Sequence, residues 1–354
     1  MARNDLPLSY SMTAELVSLF KKELEECNVQ PGETVALMSD SRTNPHYPAA
    51  FLGAAMDLGA HVFEIRVPFF TAGTRRIVRA ASDDVIPPHG PLEAMKAADL
   101  VIDMSTVGWL YTNVHNQILA SGTRTLMVNN PPEVLRRLLP CKEIRTRTRA
   151  GAAFLEQGTK LHLSSESGTD LTLSKKGRKG IFQYGASDIP GRWDHWPSGQ
   201  VACAPLEGSA EGILMLDVGT IVLRVERYVS EPIRCEFKKG KLVSMTGGGI
   251  DGYLIQEYMK TWGDEKAFIP AHVGWGCEHR AIWIEQALPG PGGGMDAESY
   301  YGNILFGMGA NYFIGLGGAN VTPAHIDFCL RNCNFTVDNV EVIKDGAIVP
   351  DALK

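Results

Sequence analysis

The sequence predicts an α/β protein in which an amino-terminal, doubly wound, mostly parallel sheet is followed by a β-rich domain. Three observations predict it. Between residues 10 and 157 short apolar runs alternate with segments of helical periodicity, the pattern of strands buried on both faces by covering helices. Beyond residue 158 the texture changes to alternating, β-branched segments joined by Gly and Asp turns, the pattern of hairpins. A chain of 354 residues with 44% hydrophobic and 21% charged residues is also long for one hydrophobic core and sufficient for two. The expected units are residues 1–155 and 156–354, divided inside or just after a helix-like stretch at 150–157.

The first unit opens with a helix over 12–27, where Leu16, Leu19, Phe20 and Leu24 recur at helical spacing. A strand at 34–38, a helix at 49–58, a strand at 61–67, a helix at 92–98 and a strand at 100–104 follow. Segments 114–120, 125–128 and 133–139 continue the alternation, with Gly32, Gly59 and Gly122 between them. No GxGxxG follows the first strand, so no dinucleotide site is inferred. In the second unit strands are expected at 160–164, 170–174, 213–217, 221–225, 233–237 and 241–245, with helices at 253–262 and 297–306. The stretches around Gly240 and Asp345-Gly346 read as hairpin turns. Residues 289–294, Pro-Gly-Pro-Gly-Gly-Gly, read as a mobile loop.

A net charge of -6 and a pI near 5.9 argue against a surface built to neutralise nucleic-acid phosphates. No segment approaches the roughly 20 apolar residues of a membrane span, and no signal-like stretch opens the chain, so a cytoplasmic protein is expected. The seven cysteines, Cys27, Cys141, Cys203, Cys235, Cys277, Cys329 and Cys333, are odd in number and form no CxxC pair. They read as buried or free thiols rather than a disulfide framework or a zinc ribbon.

The strongest chemical signal is His325-Ile326-Asp327, because residues two apart on a strand project to one face and can share one metal ion. His272, between an apolar run and Gly274 and Gly276, is the best third donor. Two imidazoles and one carboxylate form the facial triad of iron(II) oxygenases, which leaves coordination positions open. An HxD tripeptide also arises by chance, and an Asp–His pair is often just hydrogen-bonded structure. A second segment, 191–199, places Trp193 and Trp196, flat surfaces suited to stacking a ring, beside the titratable Asp194 and His195. Tryptophans beside a proline also close corners between strands. Glu211 and Asp217 frame an apolar strand and serve either to orient a ligand imidazole or as strand-end acceptors. His46, His89, His115, His162 and His279 lack a partner pattern and read as structural or exposed.

Segments 191–199, 210–219, 272–276, 296–306 and 325–333, with weaker support from 98–103 and 131–135, resemble the 2,5-dihydroxypyridine 5,6-dioxygenases. The resemblance covers most of the chain and is strongest in its carboxy-terminal half. It implies a fold similar to the thermophilic-type metalloaminopeptidases and an Fe(2+) ion held by His272, His325 and Asp327. It further implies extradiol-like cleavage of a small aromatic N-heterocycle by O2, with 2,5-dihydroxypyridine giving N-formylmaleamate in nicotinate-type catabolism. His195 matches a histidine near the substrate. The family pattern has a histidine in the loop after the 100–104 strand and a glutamate shortly before the tryptophan segment. Here that loop ends in Trp109-Leu110-Tyr111 and the second position is Gln183, so the ring substituents recognised are open. Trp193, Trp196, Tyr111 and Gln183 are the substrate-binding candidates, His195 is the catalytic one, and a homo-oligomer is expected. Alternatives are a dioxygenase for another hydroxypyridine, a metal-dependent aminopeptidase or amidase, and a catalytically idle metal-binding protein.

Overall fold

The apolar runs of the first unit become parallel strands because each is flanked by helices that cover both of its faces. A computed structural model describes residues 10–68, 89–106, 108–288 and 294–354. In chain order these form α1 (Tyr10–Glu26), β1 (Thr34–Asp40), α2 (His46–Asp57), β2 (His61–Val67), α3 (Gly90–Lys96), β3 (Leu100–Asp103), α4 (Asn113–Ala120), β4 (Arg124–Met127), α5 (Pro132–Arg137) and α6 (Lys142–Gln157). The strands pair in parallel in the order β2-β1-β3-β4. Leu16, Phe20 and Leu24 of α1 and Phe51 of α2 pack with Val35, Leu37 and Ile102 in one core. Leu92 and Met95 of α3 and Ile118 of α4 pack with Ala36, Met38 and Val101 in another. Alternate residues of β1 thus serve different cores, as expected for a doubly wound sheet.

The second unit contains β5 (Lys160–Ser164), β6 (Asp170–Ser174), β7 (Ile181–Gln183), β8 (Trp193–His195), β9 (Gln200–Cys203), β10 (Glu211–Leu216), β11 (Ile221–Val222), β12 (Arg227–Tyr228), β13 (Ile233–Lys238), β14 (Lys241–Gly247), α7 (Gly249–Thr261), β15 (Pro270–Gly276), α8 (Met295–Ser299), β16 (Ile304–Gly309), β17 (His325–Leu330), β18 (Asn334–Val337), β19 (Val340–Lys344) and β20 (Ala347–Ile348). An eight-stranded sheet runs β14-β13-β10-β6-β5-β18-β19-β20, and a seven-stranded sheet runs β12-β11-β17-β16-β15-β9-β7. Leu161, Leu163, Leu171 and Leu173 from the first meet Val273, Trp275, Phe306 and Phe328 from the second in a shared core. The β13–β14 hairpin turns through Lys239 and Gly240, and β19–β20 through Asp345 and Gly346, all at positive φ.

Two sequence expectations change. The helix expected over 297–306 is the short α8 followed by strand β16, because Ile304–Gly309 lies between β15 and β17 and shares their hydrogen bonds. The first sheet also reaches beyond residue 155, since β8 joins it as a fifth strand parallel to β4. Of the glycine-rich stretch at 289–294, residues 289–293 lie outside the described ones. Among the described residues no helix is long and apolar enough to cross a membrane.

Candidate metal centre and active-site cavity

The seven-stranded sheet has one packed face and one cleared face. Val273 and Trp275 of β15, Phe306 and Met308 of β16, and Ile326 and Phe328 of β17 all enter the shared core. The alternate residues, His272, Gly274 and Gly276, then Gly307 and Gly309, then His325 and Asp327, belong to the other face. His272 takes this side by regular alternation with Val273 and Trp275, and the register shift of the strand falls just before it, between Pro270 and His272. His272 pairs across with Gly307, and Gly307 in turn with Asp327, so a residue without a side chain stands between two potential ligands. A Cβ at Gly307 would lie 2.3 Å from His272 Nε2, hence only glycine leaves the imidazole its place.

His272 Nε2 lies 3.0 Å from Asp327 Oδ1 and 3.3 Å from His325 Nε2, which is 3.1 Å from the same carboxylate oxygen. Donors on bonds of about 2.1 Å around one ion stand roughly 3 Å apart when mutually perpendicular, so the three atoms fit a single metal ion. All three residues are buried, and theirs is the metal-ligating cluster found among the described residues. The Nδ1–H of His325 donates to the Ala310 carbonyl at 2.9 Å, which turns the Nε2 lone pair toward the other donors. Burial alone would raise the Asp327 carboxyl, but the His325 and His272 imidazoles outweigh it and hold the group well below the usual carboxylate range.

The cluster opens on a cavity of about 110 Å³, the order of size that takes up one six-membered ring. Thr106, Asn129, Arg224 and Glu298 line both this cavity and an adjoining wider one of about 690 Å³. Tyr111 enters from the loop after β3, its ring centroid 4.6 Å from that of His325. That loop is pinned by Asp103, which accepts from Ser105 N at 2.9 Å and from the Trp109 indole. Burial, opposed by these hydrogen bonds, pushes the Asp103 carboxyl up to about 6. Trp193 and His195 line the cavity from β8, and Gln183 from β7.

Trp196 is the corrected expectation. With Asp194 it falls on the other side of the period-two alternation, fully buried beside Phe20 of α1 at a centroid distance of 5.8 Å, and it does not line the cavity. Asp194 is bound by Arg192 at 2.6 Å and by two backbone N–H groups, which makes it part of the scaffold. Glu211 accepts from the Lys239 N–H in a hairpin turn and Asp217 from Ser167, so neither orients a ligand imidazole. Sequence reasoning missed three features of the site: Gly307 beside the His272 imidazole, and Gln200 and Glu298 in the cavity wall. Burial first, and the Asp327 charge second, push the Glu298 carboxyl up to about 7. Its only sequence signal was a carboxylate inside a segment with family resemblance.

The family model of 2,5-dihydroxypyridine 5,6-dioxygenase matches residues 15–350. The chain is 36% identical over 342 residues to the 2,5-dihydroxypyridine 5,6-dioxygenase of Pseudomonas putida KT2440, covering 95% of this chain and 96% of the relative. The chain belongs to the 2,5-dihydroxypyridine 5,6-dioxygenase family. The solved structure of a 2,5-dihydroxypyridine dioxygenase from Pseudomonas putida KT2440 superposes with a TM-score of 0.90 at 34% identity, over 98% of this chain and 100% of that one. AmpT from Thermus thermophilus superposes with a TM-score of 0.64 at 15% identity, over 97% of this chain and 100% of that one. At that identity AmpT shares the fold, and the aminopeptidase-like architecture expected from the sequence is present. This chain thus carries a cleared sheet face and a ring-sized cavity on a fold it has in common with AmpT.

Proposed function

We propose that this protein is an iron(II)-dependent dioxygenase that opens 2,5-dihydroxypyridine between carbons 5 and 6, with both atoms of O2 entering the product, N-formylmaleamate. The observation that carries the reading is the convergence of His272, His325 and Asp327 beside a ring-sized cavity, in a chain of this family along nearly its whole length. The donor set suits ferrous iron: two imidazoles and one carboxylate, with none of the thiolates that would favour zinc or copper(I). A bound Fe(2+) supplies the electron path between dioxygen and a singlet ring that organic side chains lack.

The protein's own groups handle position, protons and water. Tyr111 and Trp193 offer flat surfaces to the ring. His195, whose Nδ1 lies 3.2 Å from the Pro197 carbonyl, presents its other nitrogen as the group that holds or takes a ring-hydroxyl proton. Glu298, with its raised pKa, is a second site for a proton at neutral pH. Burial of the whole cluster keeps bulk water from the reacting carbons.

The test is oxygen uptake by anaerobically prepared protein, reconstituted with ferrous iron and given 2,5-dihydroxypyridine. One O2 consumed per ring, with N-formylmaleamate formed and no turnover on zinc, supports the proposal. Peptide hydrolysis on two zinc or cobalt ions, without oxygen uptake, would replace it with an aminopeptidase.

A further inference from the structure

Gln183 and Gln200 are register partners across β7 and β9 and stand side by side in the cavity wall. Gln200 Nε2 donates to Gln183 Oε1 at 2.8 Å and to Glu298 Oε2 at 3.3 Å, so the amide nitrogen faces two acceptors. Each amide is then left with one buried atom that has no partner among the described residues: the Nε2 donor of Gln183 and the Oε1 acceptor of Gln200. Both side chains are buried, at 3% and 5% exposure, where an unpaired polar group carries the full cost of its lost hydration. Two such costs, of opposite hydrogen-bonding sense, stand in one wall of the candidate active site.

We infer that the Gln183–Gln200 pair reads the lactam edge of the substrate, with Gln200 Oε1 accepting from the ring N–H and Gln183 Nε2 donating to the adjacent carbonyl. The inference rests on the ring-opening reading and adds the two residues that tell a lactam with a free N–H from its N-alkylated form. A 2-hydroxypyridine in its lactam form carries one donor and one acceptor on neighbouring atoms, the complement of what the two amides leave open. A carboxylate at position 183 would offer only acceptors there, so Gln183 sets the polarity of this wall.

The spacing across the sheet agrees. Gln200 pairs with Gly276 on β15, four residues beyond His272, or about 13 Å along the strand at 3.3 Å per residue. Gly274 and Gly276 place no side chain in that interval. Gln200 and His272 both line the ring-sized cavity, one from each end of this interval. In 5-hydroxy-2-pyridone the hydroxyl is para to the carbonyl carbon, so docking the lactam edge on the glutamines directs the hydroxyl toward His272, His325 and Asp327.

The experiment measures binding rather than turnover. Quenching of tryptophan fluorescence is titrated with 5-hydroxy-2-pyridone, its N-methyl derivative and 3-hydroxypyridine, on wild-type protein, Gln200→Met and Gln183→Met, all loaded with zinc to exclude oxidation. Wild type is expected to bind the parent at least about tenfold more tightly than the N-methyl compound. Gln200→Met should lose that discrimination while still binding 3-hydroxypyridine, which shows the variant is folded. Gln183→Met should weaken the parent and leave 3-hydroxypyridine, which lacks the carbonyl, unchanged. Discrimination that persists in Gln200→Met would mean the N-methyl group is excluded by size alone, and overturns the inference. If Gln200→Met fails to fold, unchanged affinity of Gln183→Met for the parent overturns it instead. Should wild type bind none of the three rings, the ring-opening reading itself fails, an outcome distinct from equal binding of the parent and N-methyl compounds.

Discussion

His272 and Gly307 face each other across β15 and β16, and a Cβ on Gly307 would stand 2.3 Å from the imidazole Nε2. The φ of Gly307 lies outside the left-handed region, so alanine fits the backbone and only the imidazole has to move. Gly307→Ala is therefore expected to keep the fold and lose about 10- to 100-fold in ferrous affinity, the loss typical of disturbing a ligand's support. Anaerobic calorimetric titration beside circular dichroism measures both. Unchanged affinity would mean that His272 does not depend on the cleared sheet face.

His195→Ala should retain its iron while ring cleavage falls by about 100- to 10,000-fold, the range for a lost proton-transfer group. His195→Gln separates two roles, since glutamine restores a hydrogen bond but cannot carry the proton. Partial recovery assigns positioning, and no recovery assigns proton transfer. The readouts are iron content and single-turnover oxygen consumption. Wild-type turnover in His195→Ala would make the residue a structural corner.

The two tryptophans of this segment should part company. Trp196→Ala removes a fully buried side chain from the core and is expected to cost about 3–5 kcal/mol of stability in a urea melt. Trp193→Ala, at the cavity wall, should melt near the wild type and raise KM for the ring instead. A large stability loss in both would place Trp193 in the core as well.

How much of this was legible in the sequence depended on range. Strands β5 and β6 were expected at their observed bounds because a hairpin's alternation is local. His325 and Asp327 were legible for the same reason, as two positions on one strand. β16 was misread as helix because its apolar run follows Ala297 and Glu298, and only pairing with distant β15 and β17 decides its state. The placement of β8 beside β4 is equally non-local. Trp193 and Trp196 carry the same chemistry, and only strand parity tells them apart. Gly307 was invisible for another reason: its contribution is a missing side chain, which no motif of donor atoms contains.

Glu298 makes a pH prediction for the metal-free protein. Its folded pKa, raised to about 7 by burial and then by Asp327, lies above the ordinary glutamate value near 4.5, so the folded state binds more protons between these values. This contribution to stability is complete below the unfolded pKa and is lost as pH rises toward 7. Asp327, held low, titrates beneath this window. The melting temperature of the metal-free wild type should thus decline more steeply between pH 5 and 7 than that of Glu298→Gln. Parallel profiles would show that Glu298 is not protonated in the fold.

The central claim, ring opening by a dioxygenase, is tested most directly by one turnover of the iron-reconstituted protein on 2,5-dihydroxypyridine under 18O2, with the product analysed by mass spectrometry. The account predicts N-formylmaleamate carrying two labelled oxygen atoms. A product with a single labelled atom and the other from water, or an unlabelled hydrolysis product, would contradict it.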